Sequence, residues 1–144
     1  MSDAIVSFRG EYGFLSNMYA AGFEWDGRHY LNSEAAFQSA KSLDPAVRDG
    51  FSRLSGVMAK RAGRKLELRE DWGSVKEGIM EEVVRAKFAQ NPALRRKLTD
   101  TGDRELIEGN RWHDTYWGVD LTTGKGLNRL GVILMKIRAE CRQG

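Results

Sequence analysis

Between Asp114 and Gly131 the chain reads DTYWGVDLTTGKGLNRLG, with glycine at positions 118, 124, 126 and 131. An interior glycine costs a helix or strand about 0.5–1 kcal/mol relative to alanine, so this segment has to be an irregular loop. Glycine also lets the main chain approach closely and adopt positive φ, which suits a loop that wraps backbone around a polar ligand. A similar density of reactive side chains runs from Phe8 to Lys41, FRGEYGFLSNMYAAGFEWDGRHYLNSEAAFQSAK. Two such segments, far apart in sequence, predict one site closed by both ends of the chain.

The rest of the chain supplies a frame for them. At 144 residues, 41% of them apolar, with a net charge of +3, it is expected to form a single domain over residues 1–144 and to bury one core. The slight basic excess permits an anionic small molecule or a nucleic acid as partner without requiring either. One cysteine, Cys141, excludes an internal disulfide and a Cys-based metal cluster, and points to a reducing cytoplasm. The first residues lack a signal-peptide pattern, and no apolar run reaches membrane-spanning length, so no membrane partner is expected.

Helix signals dominate. Asp44-Pro45 and Asn91-Pro92 each place a capping side chain before a proline whose φ is already helical. Ser74 and Glu77 have the spacing of a capping box. Beyond it, Ile79, Met80, Val83, Val84 and Phe88 share one helical face, and Glu81 can pair with Arg85. Leu130, Ile133, Leu134 and Ile137 repeat the pattern near the C-terminus. A further helix is expected from Ser33 to Ser42. Strand signals are short: Ile5 to Phe8, a hairpin of Phe23–Trp25 and His29–Leu31 around Asp26-Gly27, and Glu105 to Glu108. The fold class is therefore α+β, mostly α: a compact orthogonal helical domain with a small antiparallel β element.

Candidate chemistry clusters in a few places. Glu34 stands at the first turn of its expected helix, where the dipole favours a carboxylate. Gln38 and Lys41 follow on roughly the same face. By spacing the stripe reads first as the solvated side of an amphipathic helix; the small apolar residues around it add weight to the alternative, part of an active site. Asp114, between Trp112 and Trp117 with His113 beside it, suits either general acid–base work or an Asx-type turn. Trp72 either stacks on a planar ligand or plugs an inter-helix gap. The Gly124-Lys125-Gly126 turn, with Asn128 as a cap for the last helix, is a candidate phosphate cradle. Lys60, Arg61, Arg64, Lys65 and Arg69 form either a solvated face or an anion contact. His29 and His113 lack partners at metal-ligand spacing, and no nucleotide-binding or nucleophile-elbow motif occurs. A metal-free hydrolase and a ligand-binding domain both fit these residues.

Taken in order, FRGEYGFLSNMY, YLNSEAAFQSAK, GRKLELREDWGSVKEGIM, RAKFAQNPALRRKL, LIEGNRWHDTYWG and GKGLNRLGVILMKIR span nearly the whole chain. In that order and spacing they resemble the NADAR, or YbiA-like, family of N-glycosidases. The resemblance implies hydrolysis of an N-glycosidic bond without a metal or other cofactor. The implied partner is a phosphorylated ribosyl substrate, such as a ribosylamino-pyrimidine riboflavin intermediate, or an ADP-ribosyl group on guanine, including guanine in DNA. It implies Glu34 and Asp114 as catalytic carboxylates, and Trp72 and Trp117 as pocket aromatics. Arg9, Gly10, Tyr12, Asn17, Lys41, Lys60, Gly118 and Asn128 fall in or beside matched segments as pocket residues. Ala35 stands where some members carry histidine, so Glu34 has no histidine beside it in sequence. Lys41 is also expected as a rival nucleophile, an amine forming a Schiff base with the opened ribose. Two non-enzymatic readings stand against these: a reader of ADP-ribose, and a nucleic-acid-binding domain using the basic run from Lys60.

Overall fold

A computed structural model describes residues 3–143. The chain folds as two compact units, one of Asn17–Asn91 and one of Pro92 onward together with the segment ending at Ser16.

The first unit opens with a hairpin of β1 (Phe23–Trp25) and β2 (Arg28–Tyr30), antiparallel with Phe23 opposite Tyr30 and Trp25 opposite Arg28. Asp26 (φ 53°) and Gly27 (φ 75°) make its turn, both left-handed as the strand twist demands. Helix α1 (Ser33–Ser39) is followed by α2 (Pro45–Asp49), α3 (Gly56–Arg64) and α4 (Trp72–Gln90). Asp44 caps α2 through the Ala46 amide at 2.9 Å, and Ser55 caps α3 through that of Met58 at 3.2 Å. The core joins Phe23 and Tyr30 to Ala35, Ala36, Phe37 and Ala40 of the α1 region and to Met80, Val83, Val84 and Phe88 of α4, all buried. The expected pairing of Glu81 with Arg85 is present at 2.8 Å.

The second unit holds a 3-10 helix (Gly10–Leu15), α5 (Pro92–Asp100), β3 (Gly109–Asn110), β4 (Val119–Asp120) and α6 (Arg129–Gln143). Strands β3 and β4 pair in parallel, and Ile5 forms a single parallel bridge with Leu106 where longer strands were expected. Leu94, Leu98, Leu106, Leu130, Ile133, Leu134 and Ile137 are buried. The protein is thus mostly helical with a small antiparallel sheet, as its patterning predicts. Among the described residues no helix is long and apolar enough to cross a membrane.

Two local expectations are corrected. Helix α1 ends at Ser39, so Lys41 lies in the turn that closes it, its amide bonded to the Gln38 carbonyl at 3.1 Å. Helix α4 begins at Trp72, ahead of the expected capping box. The Asp71 carbonyl accepts the Ser74 and Val75 amides at 2.9 and 3.1 Å and the Ser74 hydroxyl at 2.9 Å. Ser74 is therefore a first-turn residue, and Trp72 belongs to the helix where a loop was expected.

Candidate active site

Glu34 is positioned by hydrogen bonds at the start of α1. Asn32 caps the helix by accepting the Ala35 amide at 2.7 Å, and its own amide donates to the Leu54 carbonyl at 2.9 Å. Buried Asn17 accepts the Glu34 amide on its carbonyl at 3.0 Å and the Ser33 hydroxyl on its side chain at 2.9 Å, while donating to Met80 Sδ at 3.4 Å. Asn17 thus ties the first turn of α1 to α4. One turn on, Gln38 Nε2 donates to Glu34 Oε2 at 2.7 Å.

Gln38 is 6% exposed, and its Oε1 has no hydrogen-bond partner among the described residues. An unpaired buried acceptor costs about 1–3 kcal/mol. Space for this amide exists because residue 63 of α3 is glycine: a Cβ there would overlap the Gln38 carboxamide.

Lys41 is half-buried at the end of the same helix. Burial is the main influence lowering its pKa; the nearby Glu34 charge opposes that shift and the Arg64 charge adds to it. Arg69 passes over this end, its amide bonded to the Lys41 carbonyl at 2.8 Å and its guanidinium to Asp71 at 2.6 and 3.0 Å. Trp72 is buried against Phe37, ring centroids 5.1 Å apart. Lys60 lies half-buried on α3.

In the second unit Asp114 builds an Asx turn. Its Oδ1 accepts the amides of Tyr116 and Trp117, both at 2.9 Å. Fully buried Asn110 clamps the same residue, accepting the Asp114 amide at 3.0 Å and donating to its carbonyl at 2.9 Å. Tyr116 and Trp117 then meet edge to face at 4.9 Å. His113, at φ 66°, bonds through Nδ1 to Asp120 Oδ2 at 2.7 Å. That bond, more than the backbone amide of Thr122, holds the Asp120 carboxyl below its usual range.

Most amides around the expected phosphate cradle are bonded within the protein. Amides of Leu127, Asn128, Arg129 and Leu130 go to the carbonyls of Thr115, Gly118, Tyr116 and Trp117 at 2.8–3.2 Å, and the Gly124 amide goes to Asp120. The Asn128 carbonyl accepts the Val132 amide at 2.9 Å at the start of α6. The Asn128 side chain accepts the Glu108 amide at 2.9 Å and donates to the Leu106 carbonyl at 2.9 Å. Gly118 is buried where any side chain would overlap Glu108. In the N-terminal segment Gly10 (φ 58°) starts the 3-10 helix after an exposed Arg9, and the Tyr12 hydroxyl accepts Arg104 Nη1 at 2.7 Å.

The expected residues therefore fall into two groups. Asn17, Glu34, Lys41, Lys60 and Trp72 lie in the 17–91 unit; Arg9, Gly10, Tyr12, Asp114, Trp117, Gly118 and Asn128 lie in the other. The sequence pattern did not single out Lys87 or Asn110. Lys87 is fully buried on the apolar face of α4 beside the Tyr19 and Phe88 rings, and burial lowers its pKa to about 7. Its signal was a lysine one turn after Val83 and Val84, in the register of the core. Asn110 had no local signal. Among the described residues no three His, Cys, Asp or Glu side chains gather as a metal would need.

Comparison with known proteins gives consistent matches. A family model described as the NADAR domain matches residues 7–142. N-glycosidase YbiA of Escherichia coli is 41% identical, with 97% of this chain and 90% of that protein aligned. A riboflavin biosynthesis protein of Vibrio vulnificus is 35% identical over 92% of this chain, which corresponds to 36% of that longer protein. The NMR structure of E. coli YbiA matches with a TM-score of 0.86 at 39% identity, covering 99% of this chain and 88% of that one.

Proposed function

Because the chain belongs to the NADAR family, we propose that it is an N-glycosyl hydrolase that separates a base from a phosphorylated ribose without a metal. The observation that carries the reading is the geometry around α1: a carboxylate, Glu34, oriented by Gln38 and influenced by the half-buried ammonium of Lys41. Cleavage of an N-glycosidic bond passes through an oxocarbenium-like sugar, which needs a negative charge near the anomeric carbon and a means of activating water. Glu34 fills that role in our reading. By the family resemblance, Asp114 is proposed as a second catalytic carboxylate and Trp117 as an aromatic for the base. The name of the Vibrio relative favours a ribosylamino-pyrimidine phosphate as substrate, with ADP-ribosylated guanine as the alternative.

A second route is favoured by the depressed pKa of Lys41. A neutral amine there attacks the anomeric carbon as the base departs with its bonding electrons. Ring opening then gives an imine, which water hydrolyses to return the free amine and the sugar phosphate. Borohydride during turnover separates the routes: a reduced adduct on Lys41 selects the amine, and its absence selects direct attack by water. The activity itself is tested by offering the purified protein both substrates, with Glu34→Gln and Asp114→Asn as controls. Release of sugar phosphate or ADP-ribose by the wild type, reduced in both variants, is the expected result. No release, or equal release by the variants, would remove the proposal.

A further inference from the structure

We infer that Gln38 is a positioning residue that orients the Glu34 carboxylate, and that Gly63 on α3 is glycine to leave it room. The inference rests on the proposed role of Glu34 but is tested separately from it. A buried amide with an unsatisfied oxygen is the kind of defect that folded proteins rarely keep without cause. Here the cause is visible in the geometry. Gln38 Nε2 bonds Glu34 Oε2 at 2.7 Å, whereas Oε1 is buried against the main chain of Gly63 with no donor among the described residues.

Turning the amide over would put its oxygen against an ionised carboxylate, so only the observed orientation suits a charged Glu34. The amide therefore sacrifices one hydrogen bond to secure the other. What it secures is the direction and charge of the carboxylate: a donor to the charged form favours ionisation. Two charged groups that act here are Lys41, at the end of α1, and Arg64 of α3, which acts on Lys41. Neither is a substitute for a short directional bond from one turn away.

Two changes on different helices should converge. Gln38→Met keeps the bulk of the side chain, removes the orphaned oxygen and removes the donor. Gly63→Ala leaves Gln38 in place but puts a methyl where its carboxamide sits, expelling it from Glu34. Both are expected to lower kcat by about 10- to 100-fold with KM within about twofold of wild type. Gln38→Met is expected to hold or raise Tm, since it deletes an unsatisfied buried acceptor.

An activity-independent measurement settles the matter if neither substrate is turned over: the side-chain carboxyl of Glu34, labelled with carbon-13 and titrated by NMR. Its midpoint is expected to move upward in both variants relative to wild type. An unchanged midpoint in Gln38→Met, or a lowered Tm with kcat intact, would make Gln38 a packing residue and overturn the inference. A shifted midpoint in a protein that cleaves neither substrate would leave the clamp standing and remove only the proposed activity.

Discussion

The helix at Glu34 and the turn at Asp114 both present a carboxylate, yet they distribute their polar atoms in opposite ways. Around Asp114 the loop bonds to itself: Asn110 holds its backbone from both sides, its own oxygen holds two amides, and the amides of residues 127–130 are absorbed by carbonyls of residues 115–118. Around Glu34 the fold tolerates an unsatisfied amide oxygen and a half-buried lysine held below its usual pKa. A fully satisfied turn is a scaffold that resists movement. A region that retains uncompensated polarity stores free energy that tertiary packing must supply, and such places are where chemistry is expected. On the proposed reading, this difference gives Glu34 the larger share of catalysis and Asp114 a role in shaping its turn as well.

Glu34→Gln provides the strongest test of that contrast. It replaces the charge with a neutral isostere, so turnover should fall by about 10²–10⁴-fold, the range for a positioned acid–base group, with the fold intact by circular dichroism. Asp114 should give a split result. Asparagine keeps an oxygen that can accept the Tyr116 and Trp117 amides, whereas alanine does not. Asp114→Asn is therefore expected to keep Tm near wild type and lose turnover, and Asp114→Ala to lose both, with a stability cost of about 1–2 kcal/mol by thermal denaturation. Full activity in Asp114→Asn would reduce Asp114 to a turn former.

Much of this fold could be read from neighbours in sequence. Asp44 before Pro45, Asp26-Gly27 between short strands and the Ile79-to-Phe88 face each depend on interactions within a few residues, and each is present. The misreadings have a common physical origin. Ser74 and Glu77 match a capping box, but the helix starts earlier because Asp71, paired with Arg69, offers its carbonyl to Ser74 and Val75. Arg69 is itself fastened to Lys41, far away in sequence. A loop sequence does not say which of its amides are already bonded, so the pairing of the amides of residues 127–130 was not legible in the glycine turn. The contact of Trp72 with Phe37 joins residues far apart in sequence and was likewise not legible. The candidate carboxylates could be proposed from sequence because residue type alone suggests their chemistry. Gly63 could not, since its importance exists only where it meets Gln38.

Gly118→Ala examines the rigid side of the comparison. A methyl on this buried glycine would run into the Glu108 side chain and carbonyl and the Asn110 amide, so the whole turn would have to move. Overpacking of this kind costs about 1–3 kcal/mol, and Tm should fall accordingly, with any loss of turnover following from the displaced Asp114 turn. A neutral result would mean that the loop is softer than its hydrogen bonds suggest.

The smallest effect concerns Lys87, buried on α4 and outside both regions. Burial lowers its pKa from 10.5 to about 7, so the folded state binds its proton less tightly than the unfolded chain does. Below about pH 7 both states are protonated and the full cost of burying the charge is present. As pH rises from there towards 10.5 the folded state has released the proton while the unfolded chain still carries it, and that cost is relieved. The stability of the wild type relative to Lys87→Met should therefore improve with increasing pH across this window, read as the difference in denaturation midpoints. A difference that stays flat from pH 7 to pH 10 would mean that Lys87 keeps its proton in the folded state. The groups around it would then be offsetting desolvation, placing α4 with the Glu34 helix among the elements that retain charge at a structural cost.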